Sequence, residues 1–324
     1  MESITHKLNS FFTLGLVGLL CFSWTSQSAW SAPCCSRTAA APFLILGDDE
    51  AQLSLGYSYS GLAAKADRDG MVSFIPSQRT ESVQSVKLDG AFLISDRLQS
   101  GVSLPLVRNS LATGDLSGSS MGLGDVRLSI GYEYLTAWTY SSWKPQGYLF
   151  SVIALPTGRS SYESQSNLRT DITGNGFYSL AVGTILFKRW SLWDAFLLPE
   201  FHYSLPRTFQ TSGATLRAIP GFGGSIGIGI GYSPGGGAFR LGARVQPKLD
   251  QGLYSAQLNT PLEAQGQNRG GTIANCDTGV DLSYMVTDHN TVMMSYTDQT
   301  LLGVAMNTNL NRMLAVSFQH RMPR

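Results

Sequence analysis

The chain has 324 residues, a formal net charge of +1 and 14% charged residues, well below the ~25% usual in soluble domains. That balance argues against nucleic acid as a partner. No run after residue 31 approaches the ~18 apolar residues of a membrane helix, so a hydrophobic content of 43% has to be distributed in another pattern.

Lys7 precedes the apolar run "FFTLGLVGLLCF" (11–22), and "SAWSAP" follows, with Ala29 and Ser31 at the small-residue positions of a cleavage site. This order predicts a secretory signal peptide over residues 1–31, cleaved near Ser31, and hence an exported protein. Residues 32–50, "APCCSRTAAAPFLILGDDE", read as a short periplasmic segment. It is either a linker or, through "PFLIL", a small plug folded up into a lumen.

From residue 51 the pattern is period-two alternation. In "AQLSLGYSYSG", Leu53, Leu55, Tyr57 and Tyr59 share one face, and Ser54, Gly56 and Ser58 the other. In "GDVRLSIGYEYL", Val126, Leu128, Ile130, Tyr132 and Tyr134 oppose Asp125, Arg127, Ser129, Gly131 and Glu133. About twelve such segments are predicted, near 51–61, 84–95, 99–108, 123–136, 146–156, 174–188, 193–206, 221–233, 238–250, 271–287, 291–299 and 310–321. Connections alternate between tight turns and longer loops near 62–83, 109–122, 157–173, 207–220, 251–270 and 300–309. Segments of ten to fourteen residues exceed the soluble mode of ~5–6 and suit the ~9–11 of a tilted spanning strand. The expectation is an all-β, up-and-down, antiparallel transmembrane barrel over 51–324, with about twelve strands (ten to fourteen allowed) and apolar residues facing lipid.

"GFGGSIGIGIGYSPGGGA" (221–238) begins like a phosphate-binding loop, but alternation runs straight through it and no helix follows. Phe222, Ile226, Ile228, Ile230 and Tyr232 form a lipid face. At ~3.3 Å rise and a ~40° tilt, Phe222 and Tyr232 stand roughly 25 Å apart, the height of an apolar band. The other face carries Gly223, Gly227 and Gly229 and almost no side chains. Such a row predicts close approach or open space, and the expectation is a smooth wall facing a permeation path or a plug.

The polar faces place Lys87, Asp89, Asp125, Arg127, Glu133, Glu200, His202, Arg240, Arg244, Lys248, Asp277 and Asp281 inside. Near balance of sign fits a salt-bridged filling; the row Arg240, Arg244, Lys248 alternatively makes an anion-favouring lining. His202-Tyr203-Ser204 has the base-to-nucleophile spacing of one strand face, but both polar groups point inward and no Asn follows within the next strand, so ordinary lumen polarity is the preferred reading. Cys34-Cys35 and Cys276 lack the further ligands of a metal site. No metalloprotease, nucleophile-elbow, Walker or EF-hand motif occurs, so neither metal nor cofactor is expected and the chain reads as a non-enzyme.

"GLGDVRLSIGYEYL" (122–135), "SVIALPTGRS" (151–160) and "DITGNGFYSLAVG" (171–183) occur in that order. They resemble the outer-membrane barrels associated with the meta-pathway of phenol degradation, relatives of the long-chain fatty-acid transporters, over about 60 residues. The resemblance implies passive uptake of small, often apolar molecules across the outer membrane. The chain departs from the barrel pattern at its end, where Phe318 is followed by "QHRMPR". The expected partners are outer-membrane lipid, a small solute of unknown identity and the barrel-assembly machinery, met through the last strand, with the protein a monomer. The alternatives are a structural or adhesive surface barrel with a filled lumen and, third, a lipid hydrolase.

Overall fold

The computed structural model describes residues 43–45, 49–136, 141, 143–211, 214–234, 238–257 and 268–324. The expected signal peptide and Cys34-Cys35 lie outside the described residues. Among those described, the chain forms strands β1 (Asp49–Ala66), β2 (Val72–Phe74), β3 (Arg79–Leu93), β4 (Leu98–Thr113), β5 (Leu116–Leu123), β6 (Val126–Leu135), β7 (Gln146–Leu155), β8 (Ser179–Trp190) and β9 (Trp193–Ser204). They continue with β10 (Arg207–Thr211), β11 (Ala214–Ile219), β12 (Gly221–Tyr232), β13 (Phe239–Asp250), β14 (Tyr254–Gln257), β15 (Asn268–Arg269), β16 (Ile273–Thr287), β17 (Asn290–Asp298) and β18 (Thr308–Pro323).

Twelve of these close into one antiparallel barrel in the order β1, β3, β4, β6, β7, β8, β9, β12, β13, β16, β17, β18. β18 returns to β1 with partners from Asp49↔Pro323 to Ala66↔Thr308. Closure leaves no edge strand, the requirement for a sheet crossing lipid, where an unpaired backbone group finds no water. Each of the twelve expected segments falls on one barrel strand. Tight turns gather at one end of the barrel, here the turn end, and long connections at the other, the loop end.

Two expected loops are not loops. β1 runs on to Ala66 against β2, and β4 runs on to Thr113 against β5. Backbone pairing continues past the lipid boundary, although the apolar half of the alternation stops there. The connections after β9 and β13 likewise contribute a separate four-stranded sheet, β10-β11-β14-β15.

Burial follows the pleat in the membrane sense. Leu53, Leu55, Tyr57, Tyr59, Phe222, Ile226, Ile228 and Ile230 are exposed and Tyr232 is half-exposed, while their polar neighbours Gln52, Ser54 and Ser225 are buried. Aromatic rings mark the two rims of this belt. Phe201 and Phe222 stack at 6.0 Å near the loop end, and Trp193 meets Tyr232 at 4.8 Å at the turn end.

Candidate functional site

The lumen has two unlike walls. One is built on β9, β12, β13 and β16 from charged pairs. His202 on β9 and Asp250 on β13 both pair with Gly223 of the strand between them. Strands two apart are separated by roughly 9–10 Å, so a side chain on the middle strand would stand between the partners. At Gly223 there is none. His202 Nε2 reaches Asp250 Oδ1 at 2.9 Å, and its Nδ1 lies 3.1 Å from Glu200 Oε1. A Cβ on Gly223 would overlap the Asp250 carboxylate, one on Gly229 the Phe196 ring, and one on Gly231 the Arg240 guanidinium, which pairs with Asp194. The device recurs two strands on, where Arg244 donates to Thr297 at 2.9 Å across Gly279, the residue paired with both.

The glycine row is therefore not an open wall. Its absent side chains are the space through which neighbouring strands join hands. Gly227 is the exception; its nearest neighbours, Leu198 Cβ at 3.4 Å and Phe196 at 3.7 Å, are ordinary contacts. The cationic row also reads differently in three dimensions. Arg240 meets Asp194, Arg244 meets Asp281 at 2.7 Å, and Lys248 meets Asp277 at 2.6 Å. Each positive charge has its own carboxylate; Asp194, the partner of Arg240, and Asp250, the partner of His202, were absent from the expected set. Lys87 and Asp89 pair on β3 at 3.0 Å, and Arg127 lies in the field of Asp125, Glu200 and Asp89. Glu133 sits at the turn-end mouth and accepts from Gln146 at 2.9 Å.

The second wall is apolar. Tyr148, Phe150 and Val152 of β7, Ala181 and Ile185 of β8 and Leu198 of β9 form a buried cluster, with Phe196 packed against it. Leu44 completes that cluster, although it belongs to no barrel strand. The segment Phe43–Ile45 lies in the lumen at its turn-end part. Gln99, on the inner face of β4, clasps Ile45 from both sides of its backbone: the Ile45 N–H donates to Oε1 at 2.6 Å, and Nε2 donates to the Ile45 carbonyl at 3.1 Å. Glycines again make the room. A Cβ on Gly131 would come within 2.6 Å of Leu44 Cδ2, and one on Gly101 within 2.9 Å of the Phe43 carbonyl. A cavity of about 290 Å³ reaches Phe43 and Leu44 on the β12–β18 side, and another of about 240 Å³ lies beside Ile45 at Gln99 and Tyr148. This apolar patch escaped the alternation rule because β7 is apolar on both faces; "YLFSVI" carried the signal.

At the loop end the segment between β7 and β8 folds inward. Asp125 holds both of its ends: Oδ1 accepts the N–H of Gly158 at 3.0 Å and Oδ2 that of Asn175 at 2.7 Å. Thr157 adds a bond to the Gly124 carbonyl at 2.6 Å. The inner-face Asn109 side chain donates to the Ile172 carbonyl, Leu168 lies against Gly118, and Thr173 lies against Gly122. On its other flank, Arg207 donates to the Gly176 carbonyl and to Glu163, and Tyr162, Phe177 and Phe209 pack together. Within the loop, Asp171 gathers Arg159, Ser164 and the Gln165 N–H. Burial opposes ionisation of its carboxyl, but hydrogen bonds from Ser164, Gln165 and Arg159 outweigh burial and hold it at about 2. Asp125, expected in the lumen lining, is thus directed to this loop.

Both ring nitrogens of His202 are engaged by carboxylates rather than by Ser204. Cys276 is buried with a free thiol. No cluster of metal-ligating side chains occurs among the described residues.

No family model and no curated protein sequence matches the chain. An outer membrane channel from Pseudomonas putida F1 is similar in structure, with a TM-score of 0.63 at 14% identity over 86% of this chain and 97% of that one. The β domain of the Bordetella autotransporter BrkA gives 0.47 at 11% identity over 85% and 100%. The CymD monoaromatic hydrocarbon channel gives 0.40 at 11% over 86% and 90%. At 14% identity the first of these likenesses is one of fold, and with the closed barrel the fold is that of a twelve-stranded outer-membrane β-barrel.

Proposed function

We propose that this protein is an outer-membrane pore for passive diffusion of small molecules, apolar ones among them, and that its N-terminal segment is a removable stopper. One observation carries the reading. About eight strands enclose an interior that side chains alone can fill, and the interior widens with strand number; this twelve-stranded barrel leaves room beyond its own side chains, and part of it is taken by Phe43–Ile45, a segment from outside the strands. The apolar patch it covers suits a solute with an apolar face, and the paired charges opposite leave no bare cationic track to select anions. The Pseudomonas putida F1 outer membrane channel, similar in fold, supports the same reading by analogy. In this orientation the turn end faces the periplasm, residues 1–31 direct export and are removed near Ser31, and the lead-in enters the lumen from below.

Planar-bilayer recording of the purified protein tests it, alongside a variant lacking residues 32–48. The reading expects steady conductance that rises when the segment is removed. Silence from both proteins, with the barrel folded, would assign the chain to the filled structural barrels.

A further inference from the structure

The three sequence stretches that carry the family resemblance converge on one carboxylate. "GLGD" ends on Asp125, "PTG" supplies Thr157 and the Gly158 N–H, and "TGNG" supplies the Asn175 N–H; Gly174 packs so closely on Asp125 that a Cβ there would overlap it. Both ends of residues 158–175 hang from this one side chain, at the step where β5 passes into β6. Beyond the anchor the segment lies on the inner face of the wall. Asn109, Gly118 and Gly122 all belong to inward positions of β4 and β5, and all three touch it. Ile172 is 2% exposed and Thr170 and Thr173 are buried. Its far flank is held by Arg207, at the start of the second sheet.

We propose that residues 158–175 form the constriction at the loop end of the pore and that Asp125 is the positioning residue that sets its width, an inference that rests on the permeation reading above. A loop fixed at both ends and pressed to the inner wall narrows the passage by a set amount, and loosening the shared anchor releases both ends together.

Asp125→Asn is the test. The amide keeps the shape but turns one acceptor into a donor facing an N–H, so one of the two anchoring bonds is lost. Trypsin is the first readout, because Arg159 and Arg169 lie in or beside the loop. Cleavage there should rise about tenfold or more, as local opening loses a charge-assisted hydrogen bond, while the unheated protein still runs as a folded barrel on a gel. Conductance should rise, and liposome swelling should admit larger sugars than native protein does. Asp96→Asn, the same charge change on an exposed residue at the turn end, should move neither readout. Unchanged cleavage overturns the clasp. Raised cleavage with native conductance and size limit overturns the constriction. Silence of the native protein and of the variant lacking residues 32–48 alike, in both bilayer and swelling assays, overturns the permeation reading and the constriction with it, while the cleavage result still decides the clasp.

Discussion

Leu44→Ala probes the stopper directly. Leu44 is 6% exposed and packs on Tyr148, Phe150, Val152, Ala181, Ile185 and Leu198. Full burial of a leucine is worth ~1.5–3 kcal/mol, and Leu→Ala in a well-packed site costs ~2–5 kcal/mol. A docked segment can move away rather than leave a cavity, so the lower figure applies, about 2 kcal/mol. At ~1.4 kcal/mol per tenfold, that shifts the docked-to-released ratio by roughly thirtyfold. The barrel strands lose nothing, since the contact lies between them and the lead-in. Gln99→Ala reaches the same equilibrium by another route. It removes both bonds to Ile45, each worth ~0.5–1.5 kcal/mol net. Single-channel recording should therefore show closed dwells shortened or the open level more occupied in both variants. Native dwell distributions in both, with native gel mobility, would refute the idea that this segment is what closes the lumen.

Three further outcomes follow from the same geometry. Gly223→Ala should lower the temperature at which the folded barrel loses its gel mobility, by an overpacking cost of ~1–3 kcal/mol, because the new methyl overlaps the His202–Asp250 pair; Gly227→Ala, with only ordinary contacts nearby, should leave it unchanged. Lys248→Met should destabilise by ~3–5 kcal/mol through the buried carboxylate of Asp277 it leaves behind, and adding Asp277→Leu should restore most of that loss in the same melting assay. The Asp171 carboxyl titrates at about 2, below its unfolded value of ~3.9. A depressed carboxylate contributes stability that is complete above the unfolded value and is lost as pH falls through the folded one, so hydrogen exchange of residues 158–175 should be native-like above about pH 4 and increase only as pH falls towards 2.

Alternation made the barrel legible because it reports one thing well, which face of a strand a residue occupies. Twelve strands, the lipid face from Leu53 to Tyr59 and the inward charges from Lys87 to Asp281 all follow from that one parity. Two features do not. Whether an inward residue is free or paired depends on register, and register is not written locally: Gly223 was readable as inward, but not as lying between His202 and Asp250. Strand length past the lipid boundary was hidden for a related reason. In the hairpin of β4 and β5 neither face meets lipid at the top, so the outer face of "GDLSGSSMG" has no cause to be apolar, and a paired strand reads as a polar loop.

The unequal walls also say which part of the lumen can move. On the β9–β12–β13–β16 side each opening motion would separate a buried pair such as Lys248 and Asp277, leaving a charge without its partner at ~3–5 kcal/mol. On the β7–β8–β9 side release breaks the two uncharged Gln99–Ile45 hydrogen bonds and exposes the apolar patch under Leu44, at ~1.5–3 kcal/mol, and an apolar solute arriving there would cover the same patch again. The ion-paired wall is therefore the fixed frame, and the glycines that let its pairs cross are what make it rigid. On the proposed reading, the apolar wall is where stopper and solute exchange. An apolar solute should then compete with the segment and raise open occupancy in a concentration-dependent way, whereas a fully polar solute of equal size should only pass through. Equal effects from the two would mean that the patch under Leu44 has no part in permeation.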